Sequence, residues 1–81
     1  MDLSFKDTAQ KDLDKLPKTE ARKIFKKTQI LKEFPFAGKL LGGEFEGVRS
    51  LRAWPYRILY HVDPKAGIKI LTIKHRQGAY K

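Results

Sequence analysis

Two apolar runs on either side of DPKAG restrict what residues 56–75 of this chain can become. YRILYHV and IKILTIKH are rich in β-branched and aromatic residues, and both alternate as strands do. Asp63, Pro64 and Gly67 supply turn chemistry between them, with Gly67 available for a left-handed position. Antiparallel strands over Tyr56–Val62 and Ile68–His75 follow. In the first, Tyr56, Ile58, Tyr60 and Val62 share one face, and Arg57, Leu59 and His61 share the other. A further strand over Phe45–Ala53 precedes them, joined tightly around Trp54-Pro55. This hairpin places Arg57, His75, Arg76 and Tyr80 around little apolar surface. They are either solvated residues of an exposed sheet face or a site for a phosphate.

The N-terminal half is helical. Leu3–Phe5 is a short strand, an edge unless something pairs with it. Asp7 or Thr8 caps a brief helix through about Lys15, with Ala9, Leu13 and Leu16 inward, and Pro17 breaks it. A second helix runs from about Lys18 to Glu33. Ala21, Ile24, Phe25, Thr28 and Leu31 follow a 3.6-residue period, with Lys23, Lys26, Lys27 and Lys32 on the other side. Pro35 and Gly38 stop it, and KLLGGEFEG forms a loop. The expected architecture is α+β: an N-terminal helical hairpin packed on a small antiparallel sheet, in the order β-α-α-β-β-β. One sheet face packs on the helices, and the other is partly open toward a partner.

Eighty-one residues allow a single domain, residues 1–81, with a thin core and no deep closed pocket. No apolar run approaches the ~20 residues that span a bilayer, and MDLSFKDTAQ has no apolar signal region. The absence of cysteine removes disulfides, thiolate chemistry and Cys-based zinc sites, and a cytoplasmic location is expected. The net charge is +9. Residues 1–44 hold ten Lys/Arg against seven Asp/Glu, whereas residues 45–81 hold eight against two, including four of the five arginines. Arginine's fork suits phosphate better than a lysine point charge. The distribution fits either a basic domain whose charge is merely scattered over its surface or one with nucleic acid or an acidic protein as partner.

Much chemistry is missing. After Glu46 the one acid is Asp63, in a turn, so the converging carboxylates of a metal nuclease are lacking. His61 and His75 are not at helical metal spacing, and there is no phosphate loop, nucleophile elbow or acid/base carboxylate pair. No metal or cofactor is expected. Arginine, lysine, histidine and tyrosine remain, a set able to cleave RNA without metal. The ribose 2′-hydroxyl attacks the adjacent phosphate, so the protein need only align the atoms, stabilise phosphorane charge and move protons.

GVRSLRAWPYRILYHVD followed by ILTIKHRQGAY resembles the RelE/ParE superfamily of toxins, on the RelE side. DLDKLPK is similar to that family's first helix and break, and KLLGGEFEGVRSLR to the loop and strand after the helices. The resemblance covers nearly the whole chain. It implies the toxin of a type II toxin–antitoxin pair, a ribosome-dependent mRNA interferase that cuts the A-site codon and leaves a 2′,3′-cyclic phosphate. By position it implies that Arg57 and Arg76 face the scissile phosphate and that Tyr80 stacks on a base or aids proton transfer. His75 stands where relatives carry histidine or lysine. Family members place lysines on the strand before YR, one acting as proton acceptor. Here Val48 and Ser50 occupy those places, with Arg49 and Arg52 nearby. Arg52 has the parity to replace one positive charge. Arg49 shares parity with Leu51 and points to the core side unless the strand bulges. Arginine is a poor base, so that role falls to His75 or Tyr80. Lys39, Lys74 and Trp54 join Arg49 and Arg52 as RNA-binding candidates, Trp54 either stacking on a base or packing across the hairpin. His61 reads as structural.

The partners implied are a cognate antitoxin, as an acidic or amphipathic segment over the basic groove, and mRNA with the ribosome and its rRNA. Two rivals share the fold: a ParE-like toxin that traps DNA gyrase, and a weakened relative that binds antitoxin or RNA without cleaving.

Overall fold

The computed structural model describes residues 1–75, so Arg76 and Tyr80 lie outside the described residues. Strand β1 (Leu3–Phe5) leads into α1 (Asp7–Asp14) and α2 (Lys18–Ile30). Strands β2 (Lys39–Leu40), β3 (Arg49–Ala53), β4 (Tyr56–Asp63) and β5 (Gly67–His75) follow. The five strands form one sheet in the order β1-β5-β4-β3-β2.

The α+β expectation holds with two additions. The sheet is mixed rather than antiparallel, because β1 finds its partner in β5 and runs parallel to it, Leu3 beside Ile68 and Phe5 beside Ile70. A two-residue β2 also pairs with β3 from within the anticipated loop. The strand expected from Phe45 begins only at Arg49, because Gly43–Phe45 forms a 3-10 turn and the Val48 N–H bonds back to the Phe45 carbonyl at 3.0 Å.

The 3.6-residue stripe of α2 lands as its spacing dictates, with Ile24, Thr28 and Leu31 fully buried. Thr28 is tolerated there because its hydroxyl donates to the Phe25 carbonyl at 2.6 Å. Phe25 departs from expectation. It is half-exposed at the edge of the stripe and stacks on Phe5 of β1, ring centroids 6.4 Å apart. The helix stops at Ile30, before Glu33, because Leu31, Lys32 and Glu33 turn to tighter bonds with residues three back. The helices cover the sheet face that carries Ala53, Ile58, Tyr60, Ile68, Ile70 and Ile73, and Ala9, Ile24 and Leu31 complete that core.

The outer edge of β5 is closed in two ways. β1 covers Ile68–Ile70, and beyond Phe5 the start of α1 takes over. The Lys6 N–H donates to the Ile70 carbonyl at 2.8 Å, and the Thr8 hydroxyl to the Leu71 carbonyl at 2.6 Å. The Asp12 carboxylate accepts from the Ile73 N–H at 3.0 Å and the Thr72 hydroxyl at 2.6 Å. Thr8 and Asp12, one helical turn apart, thus do the work of a missing strand.

At the β4–β5 turn, the Asp63 carboxylate accepts from the Lys65 and Ala66 N–H groups at 2.8 and 3.2 Å, which hold its pKa below the usual carboxylate range. Gly67 sits at φ +95°, and a Cβ there would meet the Asp2 carbonyl oxygen at 2.5 Å. That carbonyl accepts the Ile68 N–H at 2.7 Å, so the glycine lets β1 dock.

Candidate nucleic-acid interface

Paired residues of a ladder project from the same face, so register assigns each cation to a side of the sheet. Arg52 of β3 lies directly opposite Arg57 of β4, and Arg57 directly opposite Lys74 of β5. All three project from the face away from the core. They form a row across three adjacent strands, spanning about 10 Å. Arg52 and Lys74 are exposed and Arg57 is half-buried. Like charges set opposite one another weaken a sheet.

The neighbouring row on that face runs Lys39, Ser50, Leu59 and Thr72, which brings Lys39 to the same side as Arg52. Among the described strand residues of this face, Asp63 is the one acid, about 20 Å along β4 from Arg57. Trp54 is 57% exposed in the β3–β4 turn, just past Arg52, and its peptide bond to Pro55 is cis. The Lys23 ammonium, 3.3 Å from the Glu20 carboxylate, donates to the Trp54 carbonyl at 2.7 Å and ties α2 to this turn.

Two candidates stand apart. Arg49 pairs with Tyr60 on the core side, the placement its parity with Leu51 implied. Its guanidinium donates to the Gly38 carbonyl at 2.8 Å and lies 4.8 Å from the centre of the Phe36 ring, clamping the loop after α2. His75 pairs with Tyr56, edge-on at 5.5 Å, on the face opposite Arg57. The structure therefore gathers Arg52, Arg57, Lys74 and Lys39, with Trp54 at the margin, and separates Arg49 and His75 from them. No group of three or more potential metal-ligating side chains occurs among the described residues, and no helix there is long and apolar enough to cross a membrane.

A family model described as the ParE toxin of the type II toxin–antitoxin system, parDE, matches residues 3–80. The chain belongs to the RelE/ParE toxin superfamily. This toxin is similar in structure to the RelBE2 toxin–antitoxin complex of Mycobacterium tuberculosis, with a TM-score of 0.84 and 34% identity over 91% of this chain and 95% of that one. It is similar also to the archaeal RelE–RelB complex of Pyrococcus horikoshii OT3, at 0.74 and 28% over 95% and 96%. The isolated E. coli RelE toxin matches at 0.72 and 28% over 90% and 81%. A search of curated protein sequences found no match. The superfamily fold and the open cationic face of this toxin thus coincide in one chain.

Proposed function

We propose that this toxin is a metal-independent endoribonuclease that enters the ribosomal A site and cuts the mRNA there. The observation that supports the reading is the cross-strand row Arg52–Arg57–Lys74 on the open sheet face. The ribose 2′-oxygen forms a bond to the adjacent phosphorus, and the bond from phosphorus to the 5′-oxygen breaks, leaving a 2′,3′-cyclic phosphate. Arg57, central in the row, neutralises the charge that builds on the phosphorane oxygens. Arg52 supplies the positive charge that Val48 and Ser50 do not, and Lys74 holds the flanking backbone. Arg76 is the second phosphate ligand in this proposal. With His75 on the far face, Tyr80 is left as the group that moves the proton. DNA lacks the 2′-hydroxyl, so the chemistry itself selects RNA.

Similar solved structures are complexes with RelB-type partners, which supports a cognate antitoxin here, an acidic or amphipathic segment laid over the cationic face. A gyrase-directed mode is the second reading, favoured by the ParE description of the matching family model.

The test adds purified toxin to a translating extract and maps RNA 3′ ends. Wild type should cut within codons, and Arg57→Ala should lower the cleavage rate by about 10²–10³. Intact message under full ribosome occupancy, with gyrase supercoiling inhibited, would establish the second reading instead.

A further inference from the structure

Four positions along β4 from Arg57, His61 stands directly opposite Lys69 on the same open face, both side chains exposed. Between this pair and the cation row the ladder slips. Leu59 pairs with Thr72 but Tyr60 pairs with Ile70, leaving Leu71 as an extra residue on β5. A bulge of this kind re-aims a side chain. Leu71 here joins His61, Lys69, Asp63 and Ala66 around a cleft of about 300 Å³. The bulge thus sets an apolar residue beside an imidazole and an ammonium, on the face where the core needs none of them.

We propose that this cleft is a second RNA subsite, which takes a nucleobase from the same strand whose phosphate lies at the Arg52–Arg57–Lys74 row. The inference rests on the reading of that row as a phosphate site. His61 and Arg57 are separated by four strand positions, about 13 Å, the advance of about two nucleotides of extended single strand. Leu59, which is buried, and Thr72, whose hydroxyl is bonded to the Asp12 carboxylate at 2.6 Å, lie between and offer no cation, so this stretch does not hold the strand. A base has an apolar face and a nucleotide carries a negative backbone. Leu71 offers a surface for the first, His61 a ring for stacking, and Lys69 a charge for the second. Asp63 at the rim repels phosphate, which turns the base rather than the backbone into the cleft. The cleft shares its sheet face and its positive charge with the row, and this continuity is what selects nucleic acid over a protein segment as occupant.

Two probes separate the subsite from the row. A 2′-O-methyl adenosine tetranucleotide lacks the attacking hydroxyl and can reach both, whereas adenosine 3′-monophosphate reaches only the row. Affinities of both are measured for the full-length toxin and its variants, with amide chemical shifts followed by NMR. His61→Ala and Leu71→Ser should each weaken tetranucleotide binding about tenfold, the size of one base–aromatic stack, and leave monophosphate binding unchanged. Arg57→Ala should weaken both probes. His61 is exposed, so its variant stays folded even where Leu71→Ser does not. Unchanged tetranucleotide affinity in His61→Ala, with Arg57→Ala still weakening it, overturns the subsite and spares the row. Failure of both probes to bind overturns both. Amide shifts at residues 61, 69 and 71 that respond to antitoxin but not to the tetranucleotide also overturn it.

Discussion

Tyr60 is fully buried, yet its hydroxyl joins two distant parts of the chain. It donates to the Pro35 carbonyl at 2.9 Å and accepts from the Gly38 N–H at 2.8 Å, holding the loop after α2 against the sheet. Burial raises its pKa above the ordinary tyrosine value, outweighing the opposing influence of the Gly38 N–H and the Arg49 charge, so the hydroxyl keeps its proton and its donor role. Gly38 is required beside it, since a Cβ there would lie 2.6 Å from the hydroxyl oxygen and 2.7 Å from a ring carbon. Arg49 completes the clamp through the Gly38 carbonyl. Tyr60→Phe leaves a donor and an acceptor without this partner, and should cost about 1–3 kcal/mol. For a domain of this size each kcal/mol lowers Tm by about 4–8 °C, which thermal denaturation reads directly. An unchanged Tm would show that water replaces the hydroxyl at no cost. Strand parity in the sequence already turned Tyr60 inward. Its partners, 22 and 25 residues away, were not legible, because no local pattern connects a strand to a loop at that separation.

At the scale of elements, β5 shows what pattern reading can and cannot reach. The alternation on either side of DPKAG gave β4 and β5 nearly to their ends, and the α2 period gave Ile24, Thr28 and Leu31. The slip at Leu59/Tyr60 was invisible. Ile70, Leu71, Thr72 and Ile73 read as continuous strand, and only pairing with a partner strand shows that Leu71 is supernumerary. For the same reason His61, placed on the open face by parity, gave no sign of a cleft beside it. The docking of α1 was half legible: the period gives the helix, but Thr8 reads as a cap candidate and nothing in the sequence gives Asp12 a role. Asp12 is instead the charged acceptor for the Ile73 N–H and the Thr72 hydroxyl. Asp12→Ala should therefore cost about 1.5–3 kcal/mol, with Asp12→Asn recovering part of it, because an amide oxygen still accepts. Hydrogen exchange locates the effect: the Ile73 amide should lose protection in Asp12→Ala. Retained protection there would mean the edge is held by something other than this carboxylate.

Across the whole molecule, the cations behind the +9 charge fall into two placements that register distinguishes but composition does not. Arg49 spends its guanidinium on the loop carbonyls, while Arg52, Arg57 and Lys74 line up on the open face. Each cation that meets a phosphate displaces a condensed counterion, and for single strands each contact adds about 0.7 to the slope of log affinity against log salt concentration. Arg52→Ala, Arg57→Ala and Lys74→Ala should each reduce the slope for a non-cleavable single-stranded RNA by about that amount. Arg49→Ala should leave the slope unchanged and lower Tm instead, since the charge it removes is committed to the fold. All four carry one unit of positive charge, so a purely non-specific electrostatic attraction would shift every slope alike. Equal slopes across the four variants would mean that the sheet face acts as a diffuse positive surface, and the ordered row would then have no part in holding RNA.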